Sequence, residues 1–181
     1  MAVFTVTAGH SDVDPGAVSS YSNEESVAQE ARNMLAAALR ERGHTVRTDG
    51  DEDTNQSLNQ AIRLIPGSAA AVELHCNAGP SSATGVETIA LPKDRQLAMA
   101  LSRALSEALG LRLRGRDRDG WIDQSDSARG RLGYINAGGL IVELFFLSNP
   151  SDCAAWEAYQ DDAIEALADV LDDHAARRAG R

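Results

Sequence analysis

The sequence predicts an α/β fold of three layers, a mixed and mostly parallel sheet flanked by helices on both faces. Three observations carry this. Strand-like and helix-like stretches alternate along the chain, the pattern of a sheet covered by helices. Residues 140–147 are apolar almost without break, as a strand buried on both faces requires. The helical stretches carry apolar stripes at i, i+4 and i+7, so each has one face to bury.

The elements follow in order. Residues 2–7 alternate and are rich in β-branched side chains, which predicts a strand ending at Ala8-Gly9-His10. A polar loop, residues 11–16, leads to Ser22-Asn23-Glu24-Glu25. There a helix opens and runs to about Arg42, with the stripe Val27, Ala31, Met34, Leu35 and Ala38; Gly43 stands at the position after its end. Residues 44–47 form a short strand, 49–55 a charged turn, and 58–64 a short helix stopped by Pro66-Gly67. Residues 69–76 are a second strong strand and 85–91 another. Asp94 opens a helix through Leu109, ended by Gly110. Residues 111–133 are polar and rich in Arg, Asp and Gly, an irregular cleft wall. The apolar strand follows, closed by Asn149-Pro150. A last helix, residues 153–175, buries Trp156, Tyr159, Ile164, Leu167 and Leu171.

The chain of 181 residues suits one domain with a full core, and 43% hydrophobic with 24% charged residues is ordinary for a globular protein. No stretch approaches a membrane span, and the N-terminus lacks the basic and apolar regions of a signal peptide. Cys76 and Cys153 match neither a disulfide framework nor a metal pattern and read as reduced core residues. A net charge of -10 argues against nucleic acid or an anionic membrane as partner.

In such sheets ligands bind at the carboxyl ends of the strands. Convergence is therefore expected of His10, of His75 with Asn77, and of Glu143. Glu143 is the one charge inside the 140–147 run, where an unpaired carboxylate costs several kcal/mol. Side chains alternate along a strand, so His75 shares a face with Glu73 and Asn77, and Cys76 points away. Two imidazoles and a carboxylate suit a catalytic zinc, which keeps one position open. The first helix supplies the acid. With Ser22 as N-cap, Glu25 is the capping-box residue that reaches back, and Glu24 projects along the buried stripe. Glu24 is preferred as ligand and Glu25 as cap. A metal activates water at neutral pH, and Glu143 is placed to take the proton and pass it to a leaving nitrogen. Burial raises the proton affinity of Glu143 and the charge of a metal lowers it, which poises a general base. Taken singly, a His at a strand end is commonly capped or solvated, and a Glu in a strand is commonly paired. On spacing alone those readings stand beside the metal site. His44 and His174 gain no such support and read as surface residues.

Five stretches, in order, resemble a known family. Residues 9–17, Gly-His-Ser-Asp-Val-Asp-Pro-Gly-Ala, resemble the GHGGxDPGA opening of the zinc-dependent N-acetylmuramoyl-L-alanine amidases of the amidase-3 type. Residues 74–78 resemble their SIHANA strand, 85–88 their GVET segment, Arg114-Gly115 their RG pair, and 140–150 their LVELGFLSNP block. The resemblance implies His10, Glu24 and His75 as Zn2+ ligands and Glu143 as catalytic acid/base. It implies cleavage of the amide between N-acetylmuramic acid and L-alanine of the peptidoglycan stem peptide. It also implies a single catalytic domain over 1–181 without a wall-binding module, a monomer, and a phage endolysin acting in host lysis. Such an endolysin is made in the host cytoplasm without a signal peptide. It acts in the periplasm or cell wall once the membrane is permeabilised. Two departures bear on substrate choice. Glu73 stands where the resemblance has Ser, adding negative charge on the metal-facing side. Phe145 stands where it has Gly, on the same face as Glu143 by alternation. The rival functions are a zinc peptidase cutting within the stem peptide and a non-catalytic wall-binding module.

Overall fold

A computed structural model describes residues 1–51, 54–127 and 132–180. The strands are β1 (Val3–Ala8), β2 (Thr45–Thr48), β3 (Ala70–Asn77), β4 (Glu87–Ala90), β5 (Trp121–Asp123) and β6 (Leu140–Phe146). They form one six-stranded sheet in the order β2-β1-β3-β6-β4-β5. β4 runs antiparallel to β6 and every other pair is parallel. The helices are α1 (Glu24–Glu41), α2 (Leu58–Leu64), α3 (Arg95–Leu109), α4 (Gly133–Asn136) and α5 (Pro150–Ala179). α1, α3 and α5 cover one face around Phe4, Leu35, Leu74, Leu101 and Trp156. α2 and α4 cover the other around Ala61, Ile89, Tyr134 and Ile141. This is the predicted three-layer arrangement. The apolar run of β6 lies beside β3 in the middle of the sheet, and all seven of its residues are buried. Among the described residues no helix is long and apolar enough to cross a membrane.

Several local expectations are corrected. Asn23, not Ser22, caps α1: its side chain accepts the Ser26 N–H at 2.8 Å, so Glu24 is the first helical residue. Ser22 is held in the preceding turn by Ser19, whose Oγ accepts its N–H. Asn and Ser are equally good caps, so composition does not separate them. Glu25 bonds Gln29 and Ser26 on the helix surface instead of reaching back. Asn149-Pro150 begins α5 as well as ending β6: Asn149 accepts the N–H groups of Ser151 and Asp152, and Pro150 occupies the first turn. Tyr159, predicted as buried, is 50% exposed and stands where the backbone leaves helical geometry. The stretch 111–133 is not wholly irregular. It contains β5, which extends the sheet beyond β4, and the start of α4; residues 128–131 lie outside the described residues.

The predicted charged turn, of which residues 52 and 53 lie outside the described residues, buries Asp49 and Asn55. Asp49 accepts the Ala8 N–H and faces the fully buried Arg32 at 3.3 Å. Asn55 donates to the carbonyl of Gly9 at 3.0 Å. Together they fix the end of β1, from which His10 projects. Burial pushes the Asp49 carboxyl up to about 6 against the opposing pull of Arg32 and the Ala8 N–H. Its ordinary value is 3.8, so between about pH 4 and 6 the folded chain holds a proton that the unfolded chain has released. Stability contributed by this group therefore falls as pH rises through that window. Denaturant midpoints of wild type and Asp49→Asn, compared from pH 4 to 7, should show wild type losing ground to the variant as pH rises. Parallel profiles would contradict the assignment.

Candidate metal centre

Three elements bring their ends together at the carboxyl edge of β1 and β3. His10 follows β1 with φ +69°, a conformation that costs a non-glycine residue energy and persists where its surroundings demand it. Its turn is closed by reciprocal backbone bonds between Ser11 and Asp14. Glu24 enters from the first position of α1, where the helix dipole favours a carboxylate. It is 1% exposed, and its oxygens accept the N–H groups of Ala17 at 3.1 Å and Cys76 at 3.2 Å. His75 stands near the end of β3 and is 6% exposed.

Glu24 is shared between the two imidazoles. Its Oε1 lies 2.9 Å from His75 Nδ1, and its Oε2 lies 2.9 Å from His10 Nε2. The ring centroids are 5.3 Å apart. One ligand atom from each of the three residues falls within 4.8 Å of the others, so the group can hold a metal ion. A specific observation favours this. His10 Nε2 is buried and close to Glu24, yet it is not aligned for a hydrogen bond with any described residue. A lone pair aimed at a shared centre fits that geometry, and two imidazole nitrogens with one carboxylate are a donor set for zinc with a position left open.

Electrostatics agree with the geometry. Burial alone raises the Glu24 carboxyl, but His10 and His75 hold it well below the usual carboxylate range. Burial alone lowers the His75 imidazolium, but Glu24, Glu73 and Glu143 outweigh it and push it up to about 10. Glu24 and Asp14 raise His10 against its own burial. The site concentrates negative charge around two bases, an environment that attracts a cation.

Two glycines make room. A Cβ on Gly16, at φ +64°, would meet His10 Nε2 at 2.5 Å and Glu24 Oε2 at 2.8 Å. A Cβ on Gly9 would overlap the His75 ring at Cε1, Nδ1 and Nε2. Gly9→Ala is therefore expected to displace that ring and lower any activity depending on it by about 10²-fold. Ring position by crystallography, with the rate of substrate hydrolysis, checks this.

Glu143 lies beside the cluster. It is in register with His75 on the neighbouring strand, so both side chains leave the same face, and it is 4% exposed. On its other side it is in register with Glu87 of β4. Glu87 is in turn held by Asn77 Nδ2 at 2.7 Å and Arg114 Nε at 2.7 Å. The Arg114 guanidinium also lies over the Phe146 ring at 4.7 Å. A row of His75, Glu143 and Glu87 thus runs across three strands. The sequence reading assigned no role to Glu87 or Arg114, although both lie in the segments that carried the resemblance. A cleft of about 280 Å³ opens beside the cluster, lined by His10, Leu58, Glu73, His75, Leu132 and Tyr134 among others.

Phe145 does not share the face of Glu143. The register with β3 shifts between His75 and Asn77, so β6 carries an extra residue there. Phe145 turns to the opposite side and stacks on Trp156 at 5.3 Å, fully buried. It does not narrow the cleft. His44 is no surface residue: it accepts the Ala2 N–H, meets Asp172 at 3.0 Å and packs edge-on against Phe4. His174 is half-buried beside Ala69. Neither joins the cluster. Cys76 and Cys153 are free and buried.

His10, Glu24, His75 and Glu143 thus gather at the carboxyl edge of the central strands of a three-layer α/β domain. Residues 5–173 match the family model described as N-acetylmuramoyl-L-alanine amidase, and the chain belongs to that family of peptidoglycan amidases. Comparison with curated proteins gave no match. Among solved structures, a chain from Neisseria meningitidis described as an N-acetylmuramoyl-L-alanine amidase is 37% identical, with TM-score 0.86 over 99% of this chain and 96% of that one. The catalytic domain of CwlV, an amidase from Bacillus (Paenibacillus) polymyxa var. colistinus, shares the fold at 21% identity and TM-score 0.81, covering 97% and 99%. The catalytic domain of the CD27L endolysin, which targets Clostridia difficile, shares it at 20% identity and TM-score 0.68, covering 98% of each chain.

Proposed function

We propose that this chain is a zinc-dependent N-acetylmuramoyl-L-alanine amidase acting as one catalytic domain. The observation that carries the reading is the meeting of His10, Glu24 and His75 around one point, with Glu143 in register beside His75. His10, Glu24 and His75 would hold the ion. When bound, zinc supplies Lewis acidity toward a carbonyl and toward water. The chain's own residues do the rest. The cleft seats the lactyl amide, and Glu143 takes a proton from the attacking water as the new C–O bond forms. The same carboxyl then gives that proton to the L-alanine nitrogen as the C–N bond breaks. The products are a lactyl carboxylate on the sugar and a free stem-peptide amine.

Digestion of purified peptidoglycan, read by mass spectrometry of the products, tests this. The expected result is intact stem peptides and peptide-free glycan, stopped by a chelator and restored by zinc. Cleavage inside the stem peptide would identify a zinc peptidase instead. Absence of both products and bound zinc would identify a wall-binding module. The physiological setting put forward is host lysis by a phage endolysin. Expression in the cytoplasm should then be harmless until the membrane is permeabilised, and lysis at that moment is the measurement.

A further inference from the structure

The two imidazoles of the cluster are not held alike. Each turns one ring nitrogen toward Glu24 and the other toward a second carboxylate, but with opposite atoms. His10 presents Nε2 to Glu24 at 2.9 Å and Nδ1 to Asp14 Oδ2 at 3.1 Å. His75 presents Nδ1 to Glu24 at 2.9 Å and Nε2 to Glu73 Oε2 at 3.1 Å. In a neutral imidazole one nitrogen carries the proton and the other the lone pair. A nitrogen that gives its proton to a carboxylate leaves its partner as the ligand atom.

We propose that Glu73 is a positioning residue: it accepts the Nε2–H of His75 and so commits His75 to ligate a divalent metal through Nδ1, while His10 ligates through Nε2. This rests on the metal reading given above. Glu73 outranks Asp14 in this role because of burial. The Asp14 side chain is 63% exposed, where water competes for the same hydrogen bond. The Glu73 side chain is 6% exposed, where a charge-assisted bond keeps its strength. A flip of the His75 ring about Cβ–Cγ would set carbon atoms against both carboxylates and lose both contacts. The ring lies close against the Gly9 backbone, where a Cβ would overlap it.

The experiment uses the full chain as wild type, Glu73→Leu, Glu73→Gln and Asp14→Asn. Zinc affinity is measured by competition with a chromophoric chelator. Long-range nitrogen–proton NMR of the zinc-loaded protein then reports which nitrogen of each histidine bears the metal. Glu73→Leu should lower zinc affinity about 10–100-fold. Glu73→Gln, whose side-chain oxygen still accepts, should fall less and keep the tautomer; Asp14→Asn should fall less than Glu73→Leu. Wild-type His75 should show metal on Nδ1 and a proton on Nε2, a readout that a merely structural carboxylate would not set. Metal on Nε2 of His75, a Glu73 oxygen on the metal, or wild-type affinity in both Glu73 variants overturns the proposal. If Glu73→Leu does not fold, Glu73→Gln and the wild-type spectrum still decide. Wild-type protein that takes up no zinc removes the amidase mechanism as well; wild type that binds while the variants match it removes this proposal alone.

Discussion

Glu143→Gln is expected to lower release of stem peptides from peptidoglycan by about 10²–10⁴-fold while the protein still takes up one zinc. Glutamine keeps the size and the hydrogen-bonding oxygen of the residue but cannot carry a proton between water and the leaving nitrogen. The loss corresponds to about 3–5 kcal/mol of transition-state stabilisation. Because Glu143 is not among the three converging ligands, metal content should hold. Glu143→Asp withdraws the carboxylate by one methylene and should recover part of the rate. The measurement is kcat on a defined muropeptide beside zinc stoichiometry by elemental analysis. A glutamine variant within tenfold of wild type would remove Glu143 from the mechanism.

The second large effect is at Glu24. Glu24→Ala should abolish zinc uptake and activity together, since one carboxylate orders both imidazoles. It should also cost folding stability, because the N–H groups of Ala17 and Cys76 lose their acceptor. A buried group left unpaired costs about 1–3 kcal/mol, so the loss at Cys76 with a smaller one at the part-buried Ala17 should show as a fall of about 1–5 kcal/mol in denaturant unfolding. Glu25→Ala is the control. Its carboxylate touches Gln29 and Ser26 on the helix surface, and its loss should leave zinc binding and rate unchanged. The reverse pattern, with Glu25 essential and Glu24 dispensable, would falsify the ligand assignment.

Much of this was legible in the chain. The i, i+4 stripes placed α1 and α3, and the nearly unbroken apolar run marked β6 as a strand buried on both faces, because burial is written locally as periodicity and composition. His10, His75 and Glu143 emerged from the rule that polar residues at strand ends converge and Glu24 from the start of the first helix, and the ordered motifs strengthened the set. β5 escaped because three residues carry too little periodic signal; Trp121 is placed by its parallel pairing with Thr88 and its N–H bond to the Ala90 carbonyl. The buried role of Asp49 escaped because its partners, Ala8 and Arg32, are far from it in sequence.

Phe145 shows the boundary between the two kinds of information. Strict alternation put it on the face of Glu143, and one extra residue in β6 put it on the other, against Trp156. A bulge depends on how two strands register, and that depends on both strands and the helices packed on them. The sequence by itself determined the layers, the central strands and which side chains are candidates to meet at their ends, since these follow from local hydrophobic pattern and residue type. Tertiary structure alone decided that Glu24 bridges the two imidazoles, that each imidazole turns a different nitrogen to it, and that Glu73 meets His75 Nε2. Those are matters of distance and direction between distant segments, and hydrogen bonds at about 3 Å are not encoded in any one of them.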